Sequence, residues 1–144
     1  MRLLLACVLL AAATLSGCAD DDAPATTTTS STPMGIVAQP EEVDIAVSAV
    51  GAFPVNPAFD PTDLQVPAGA LVHVTFRNED TVPTVGHNWV VEGIEGASSD
   101  VIEPGQETTF DFTAPTAAGE HAFYCSISGH RDAGMEGTLS VTIA

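Results

Sequence analysis

The stretch LVHVTFRN, residues 71–78, alternates apolar and polar side chains along its length. In an extended chain Val72, Val74 and Phe76 lie on one face, and His73 lies on the opposite face. A period of two residues is typical of a strand that buries one face and presents the other to water. This segment therefore predicts a β-strand.

Similar short patterns recur through the chain, separated by turn residues such as Pro67-Ala68-Gly69 and Pro104-Gly105. The further predicted strands cover residues 43–50, 64–69, 87–93, 107–115, 121–125 and 137–144. A weak pattern after Gly93 allows a short helix there. About seven or eight strands in about 100 residues predict an all-β fold, a Greek-key β-sandwich.

The first 18 residues, MRLLLACVLLAAATLSGC, have the pattern of an export signal. The apolar run from Leu3 to Leu15 is too short to span a bilayer comfortably. It ends in Leu-Ser-Gly-Cys, which resembles the lipobox of bacterial lipoproteins, where the cysteine is lipidated and becomes the first mature residue. We therefore predict a signal peptide over residues 1–17 and lipid attachment at Cys18. The alternative is an ordinary signal peptide that contains a cysteine.

Residues 18–40 are rich in Thr, Ser, Pro and Ala and have little to bury, so they predict a flexible tether. The domain is expected over residues 41–144. A lipid at the tether's start would hold this domain on a membrane without a spanning helix. The expected location is outside the cytoplasm, on the outer face of the cytoplasmic membrane or in the periplasm.

The chain is strongly acidic, with 19 Asp and Glu, 3 Arg, no Lys and a net charge of −16. Arg2 lies in the predicted signal, which leaves Arg77 and Arg131 as the basic residues of the mature chain. Such a surface cannot neutralise phosphates, so nucleic-acid binding is excluded. The charge either keeps the protein soluble or steers a basic partner, and its even scatter favours solubility.

Cysteine usage singles out one thiol. Cys7 falls in the predicted signal and Cys18 is assigned to the lipid, so Cys125 is alone in the mature domain. A disulfide within the domain is therefore not expected. An unpaired thiol in an exported protein is prone to oxidation unless it has another role.

The segment YCSISGHRDAGM, residues 124–135, suggests that role. Cys125, His130 and Met135 are spaced five residues apart in a loop after a predicted strand, and His87 offers a second imidazole. Thiolate, imidazole and thioether suit copper in both oxidation states, and a trigonal His₂Cys set with a weak axial Met is the blue-copper arrangement. Each residue alone is a weak signal, whereas the joint pattern is strong.

Three segments carry a family resemblance: GHNWVV, FYCSISGHRDAGMEGTL and FDPTDLQVPAGALVHVTFRN. They resemble the azurin, plastocyanin and auracyanin group of cupredoxins over roughly residues 43–144. The resemblance implies one copper ion, with His87, Cys125 and His130 as equatorial ligands and Met135 as the axial ligand. The Cys-to-His spacing is similar to that of azurins. The His-to-Met spacing is one residue longer and is more like the auracyanin and rusticyanin branch.

The same resemblance implies roles for two neighbours of His87. Asn88 matches the family residue whose backbone N–H and side chain hold the cysteine loop in place. It is therefore expected to stabilise the ligands without binding the metal itself. Gly86 matches the glycine whose carbonyl lies on the second axial side, a possible weak metal contact. The loop histidine His130 is expected to be partly exposed. Around it a small uncharged docking patch is expected: Val82, Pro83, Val85, Ile127, Ala133 and Gly134.

Four other residues with redox-capable or metal-capable side chains are interpreted as structural. His73 is expected on the surface, His121 near the core without a ligand role, and Trp89 in the core. Tyr124 is expected to pack against its neighbours. The alternative is that it lies on a through-bond route for electrons.

The predicted function is that of a membrane-tethered blue copper protein. It would pass single electrons between redox proteins, such as a cytochrome or a terminal oxidase, through Cu(II)/Cu(I). The alternative is copper binding or delivery without electron transfer, although such sites tend to be exposed and rich in Met or His. An enzyme is disfavoured, because multicopper enzymes need more His than the four here and a Cys125–His130 hydrolase leaves Met135 unused. A metal-free adhesion domain is a further alternative.

Overall fold

The computed structural model of the protein describes residues 39–143. The predicted signal peptide (1–17), the lipid-attachment residue Cys18 and residues 18–38 of the predicted tether lie outside the described residues. Within the described part, eight strands form and no helix does. The strands are β1 (Glu42–Val50), β2 (Ala58–Asp60), β3 (Asp63–Pro67), β4 (Leu71–Asn78), β5 (Val90–Val91), β6 (Glu107–Thr113), β7 (Gly119–Tyr124) and β8 (Glu136–Thr142). Residues 39–143 thus contain no helix that is long and apolar enough to cross a membrane.

The strands form two four-stranded sheets, in the orders β2-β1-β4-β6 and β3-β8-β7-β5. β1 runs parallel to β4, and β3 runs parallel to β8, while the other pairs are antiparallel. From β2 to β7 each successive strand lies in the opposite sheet, which gives the crossing connections of a Greek-key sandwich. The predicted fold class is confirmed.

Alternation along the strands places the core between the sheets. In β4, Val72, Val74 and Phe76 are buried, as their spacing predicts. Phe123 and Leu139 face them from the second sheet and are fully buried. Trp89 is also fully buried and packs on the rings of three phenylalanines: Phe110, Phe112 and Phe123.

Three local predictions were wrong. The predicted strand 87–93 pairs as a strand only at Val90–Val91, because His87 makes a single bridge to Ile102 where the chain enters the loop end of the sandwich. The short strand β2 was missed. No helix forms after Gly93, where Gly93 and Gly96 take left-handed conformations with φ of +77° and +78° that interrupt a helical path.

One end of the sandwich collects the loops that matter for function. β1 and β4 both end there, followed by residues 51–57 and 79–89. β7 ends beside them and β8 begins there, so the connecting loop 125–135 joins the same cluster. Parallel pairing of β1 with β4 therefore places three loops, distant in sequence, at one edge of the core.

Candidate metal centre

Three donor atoms meet at this loop end, from His87, Cys125 and His130. Nδ1 of His87 lies 3.1 Å from Nδ1 of His130. The Cys125 Sγ lies 3.9 Å from the first nitrogen and 3.5 Å from the second. The three residues are buried, with exposed fractions of 0%, 1% and 5% for His87, Cys125 and His130.

The triangle has the size that a bound ion requires. In zinc sites the metal lies about 2.0–2.1 Å from an imidazole nitrogen and about 2.3 Å from a thiolate sulfur. In a trigonal set with such metal–ligand distances, the donor atoms lie about 3.5–3.8 Å from one another. The observed separations of 3.1, 3.5 and 3.9 Å bracket that range. Two imidazoles and one thiolate are also the donor types that copper binds. The residues present therefore fit a copper ion.

Met135 closes the same loop at its far end. Its carbonyl accepts from the Cys125 N–H at 3.1 Å, and its own N–H donates to the His130 carbonyl at 3.1 Å. The residue is fully buried. These two hydrogen bonds hold the backbone of the thioether residue next to both loop donors, as their five-residue spacings suggest.

The interior of the loop is tightly turned. The His130 N–H donates to Ile127 O at 3.0 Å, and the Gly134 N–H donates to Arg131 O at 2.9 Å. Gly134 has a φ of +109°, a conformation that a residue with a side chain rarely adopts. Arg131 also fastens the loop to its surroundings, with Nε 3.0 Å from Glu136 and its guanidinium carbon 4.4 Å from the Tyr124 ring centre. The loop is thus held by its own backbone hydrogen bonds and by the contacts of Arg131.

The pKa of the Cys125 thiol is raised above its ordinary value. Burial raises this pKa and outweighs the hydrogen bonds from the backbone N–H groups of Asn88 and Ile127, which lower it. The Asn88 side chain joins the two segments directly, since its Oδ1 accepts from the Ser126 N–H at 2.9 Å and its Nδ2 donates to Ser126 Oγ at 2.9 Å. A coordinating metal would deprotonate such a thiol outright.

The second nitrogen of His87 is held by a carboxylate. Nε2 lies 3.0 Å from Asp80 Oδ2, and both side chains are completely buried. Burial raises the pKa of Asp80, but hydrogen bonds from His87, Val82 N–H and Phe53 N–H outweigh it and leave that pKa below its ordinary value. With Nε2 engaged in this way, Nδ1 is the nitrogen that faces Cys125.

Asn78 anchors the segment that carries this acid. It is fully buried, and its Nδ2 donates to Val85 O at 3.0 Å and to Ile102 O at 2.8 Å. Its Oδ1 accepts from the Asp80 N–H at 3.0 Å. The chain between the end of β4 and His87 is therefore fixed by internal hydrogen bonds.

His130 corrects one expectation. It was predicted to be partly exposed, but only 5% of it is accessible, because the Phe53 ring stacks on it with centres 4.1 Å apart and planes 27° apart. Burial lowers the pKa of His130, and the neighbouring His87 lowers it further, while Asp80 raises it. Phe53, from the loop after β1, is itself partly exposed and covers one face of the His130 ring.

The remaining candidates lie elsewhere or contribute indirectly. His73 is half-exposed on the outer face of the first sheet, 2.7 Å from Asp111. His121 Nδ1 is 3.2 Å from the Glu92 carbonyl. A Cβ at Gly86 would lie 2.8 Å from Val101 Cγ1, so the exposed Val101 side chain would have to shift to admit one. The second axial role of Gly86 stays a prediction.

The sequence pattern did not single out four residues that shape the site: Asp80, Asn78, Phe53 and Ser126. Asp80 follows Asn78 and Glu79 in a polar run that looks like an ordinary surface turn. Nothing in the one-dimensional pattern separates buried Asp80 from exposed Glu79. The one available signal was position, because this run leads from β4 towards His87.

Comparison with known proteins agrees with this geometry. The family model of the cupredoxin-like domain matches residues 3–141. Auracyanin-B of Chloroflexus aurantiacus is 30% identical over 121 residues, covering 65% of this chain and 51% of that protein. Rusticyanin of Acidithiobacillus ferrooxidans is 32% identical over 117 residues, covering 67% of this chain and 61% of that protein. The chain thus spans about half to three fifths of the length of these relatives.

Solved structures show the same architecture. An auracyanin B structure superposes with a TM-score of 0.61 at 26% identity, covering 72% of this chain and 91% of that one. The structure of auracyanin A, described as a "blue" copper protein from the green thermophilic photosynthetic bacterium Chloroflexus aurantiacus, gives a TM-score of 0.58 at 25% identity, covering 70% and 99%. The chain therefore belongs to the cupredoxin family and is a copper protein that binds one copper ion.

Proposed function

We propose that this protein is a one-electron carrier in which His87, Cys125 and His130 bind copper as close ligands and Met135 binds as the weak axial ligand. The observation that carries the proposal is the buried N, N, S triangle held by loops with their own internal hydrogen bonds. When bound, copper supplies a Cu(II)/Cu(I) couple, and thiolate and imidazole donors suit both states.

The protein's own residues contribute geometry and exclusion of water. The Asp80 contact orients the His87 ring, and the Asn88 side chain ties the Cys125 loop to the His87 segment. Phe53 covers His130 and leaves little room for solvent. Ligands held in this way move little when the charge of the site changes, which favours rapid electron transfer over substrate chemistry at the site.

The test is spectroscopic. The purified protein, loaded with Cu(II), is expected to show an intense blue absorption band and a narrow copper hyperfine splitting in electron paramagnetic resonance. Both arise from a thiolate bound in a trigonal site. A pale tetragonal copper signal would show that Cys125 is not a ligand and would overturn the proposal.

Electrons are proposed to pass through the loop end of the sandwich, which carries the proposed ligands. The uncharged patch expected there (Val82, Pro83, Val85, Ile127, Ala133 and Gly134) is joined by Phe53 and by Val55, which is 86% exposed. A small apolar face of this kind suits brief redox encounters. The proposed partners are redox proteins, a cytochrome or a terminal oxidase. Stopped-flow reduction of the loaded protein by such a partner is expected to slow in Val55→Asp.

The proposed cellular arrangement places the domain of residues 41–144 outside the cytoplasm. Residues 1–17 act as a lipoprotein signal, Cys18 carries the lipid, and residues 18–40 form the tether. A membrane-bound full-length protein that becomes soluble in Cys18→Ala would support this arrangement. Equal fractionation of both forms would overturn the lipid anchor and leave the copper site unaffected.

Copper delivery is the alternative function, and burial of the donors counts against it. A delivery site must release its ion readily, whereas all three close donors here are at most 5% exposed. Repeated reduction and reoxidation without loss of copper would support the carrier function. Rapid transfer of copper to a chelator or acceptor protein would favour delivery.

A further inference from the structure

We infer that Asp80 is a positioning residue that holds both histidines of the copper site and lowers its reduction potential. The inference rests on the proposed function, because it concerns the copper that His87 and His130 would bind. Asp80 is not one of the four proposed ligands. Its role is tested by the reduction potential of the protein and by the exchange of the His87 Nε2 proton.

The Asp80 carboxylate accepts three hydrogen bonds in the interior. Oδ2 accepts from the Phe53 N–H at 3.1 Å and faces His87 Nε2 at 3.0 Å, and Oδ1 accepts from the Val82 N–H at 2.7 Å. Backbone N–H groups can only donate, so both oxygens act as acceptors, as in an ionised carboxylate. A charge with no exposed side-chain surface is retained only where such partners satisfy it.

The contact with His87 fixes which nitrogen meets the metal. Because an ionised carboxylate can only accept, the contact with Asp80 requires the proton on Nε2 and leaves the lone pair on Nδ1, which points towards Cys125 and His130. A carboxylate behind a metal-bound histidine sets the tautomer and ring orientation and raises the basicity of the ligand. A more basic ligand and a nearby buried negative charge both favour Cu(II) over Cu(I).

Through Phe53, Asp80 also helps to hold the His130 ring in position. The Phe53 N–H is bound to Asp80, and the Phe53 ring stacks on the His130 ring at 4.1 Å. The loop that carries Phe53 is sharply turned: Gly51 has a φ of +97°, and a Cβ there would lie 2.1 Å from Asn56 O. Thr81 donates both its N–H and its hydroxyl to Gly51 O, at 3.0 and 3.1 Å. Residues 51–57 and the Asp80 segment are thus one hydrogen-bonded unit over the site.

Asp80→Asn tests the charge, with Glu79→Gln as the matched control. Glu79 is the adjacent acid, is exposed, and loses the same formal charge. Asp80→Asn is expected to shift the ratio of Cu(II) to Cu(I) affinities about tenfold towards Cu(I), a rise of about 59 mV for one electron. Glu79→Gln is expected to leave the potential close to that of the unaltered protein, since exposed charges are screened.

A second measurement uses the unaltered protein and does not depend on a variant folding. In the diamagnetic Cu(I) form, nitrogen-15 nuclear magnetic resonance is expected to show a slowly exchanging Nε2–H on His87. The signal reports the tautomer that the contact with Asp80 requires and the protection of that proton from solvent. A rise in potential specific to Asp80→Asn, together with this proton, supports the inference.

The contrary outcomes are separable. A blue unaltered protein in which Asp80→Asn and Glu79→Gln have the same potential, or in which the His87 proton exchanges freely, overturns the role of Asp80 alone. An Asp80→Asn variant that does not fold leaves the proton measurement to decide. An unaltered protein without the blue signal overturns the proposed function and, with it, this inference.

Discussion

Two histidine–aspartate pairs in this protein have almost the same geometry and opposite surroundings. His87 and Asp80 lie 3.0 Å apart at the loop end, with no side-chain surface exposed. His73 and Asp111 lie 2.7 Å apart on the outer face of the first sheet, with 37% and 60% of their side-chain surfaces exposed. The His73–Asp111 contact is the shorter of the two, but it contributes less to stability. Water screens its charges and solvates either side chain when the other is removed. Burial, rather than distance, decides what each pair does.

The same contrast applies to the regions around the pairs. At the loop end Asp80 and Asn78 each have three internal hydrogen-bond partners and are linked to each other, so a change at one residue reaches the others. On the outer sheet face the Arg77–Glu107 and His73–Asp111 pairs are separate and exposed. Substitutions at the two regions should therefore differ greatly in effect, and the following experiments test that difference.

The largest effect is expected at the thiol of the buried region. Cys125→Ser should abolish the blue absorption band, because a hydroxyl is a poor replacement for thiolate as a copper ligand. His73→Ala, on the outer face, should leave the band unchanged. Visible spectra of both copper-loaded variants check this, and a blue Cys125→Ser protein would remove the basis for the ligand assignment.

Direct breaking of the two pairs should give the next largest effect. Asp80→Ala is expected to lower the unfolding free energy of the copper-free protein by about 3 kcal/mol, since it leaves buried donors without a partner. Asp111→Ala should change it within the error of the measurement, because the pair is exposed. Urea denaturation of the two variants compares them. Equal losses of unfolding free energy would show that burial does not distinguish the two pairs.

A smaller effect is expected at the axial position. Met135→Leu should keep copper bound and raise the reduction potential, because a weak donor to Cu(II) is lost while burial is preserved. The rise should be at most about 59 mV, a tenfold change in a one-electron equilibrium. Voltammetry measures it, and a lower potential in this variant would count against an axial thioether.

The smallest effect concerns pH and the exposed pair. The hydrogen bond with Asp111 raises the pKa of His73, partly opposed by desolvation, and the charges of Asp111, Asp44 and Glu42 raise it further. The stability that follows is complete below the unfolded pKa of about 6.5 and is lost as pH rises through the higher folded value. His73→Gln should therefore weaken the decline in stability from about pH 6 to about pH 8. Urea titrations at both values check this, and an unchanged decline would assign it to other groups.

Much of the fold follows from local pattern. The alternation in residues 71–78 matches β4 at both ends, and the segments around Phe112 and Leu139 likewise form strands with those residues in the core. The segment 87–93 shows the limit of pattern reasoning. Its apolar residues Trp89 and Val91 are buried in the core, and only two residues of the segment pair as a strand.

The candidate donors of the loop were also readable from the chain, because Cys125, His130 and Met135 lie close together in a segment of unusual composition. His87 lies 38 residues before Cys125, and it was the candidate for the second imidazole because it begins an apolar segment. The prediction that His130 is partly exposed failed because Phe53, a residue in a different loop, covers it.

Local sequence thus determined the period-two strands, the turn positions, the acidic surface and the chemical types of the donors, since each depends on neighbouring residues or on composition. Folding in three dimensions decided which carboxylate stands behind His87, which ring shields His130 and how close the donors come. These depend on contacts between segments that lie far apart along the chain: Asp80 meets Phe53 across 27 residues, and Asn88 meets Ser126 across 38. The first contact follows from the parallel pairing of β1 and β4, which places their loops at the same end of the sandwich, and the second from β7 ending beside those loops.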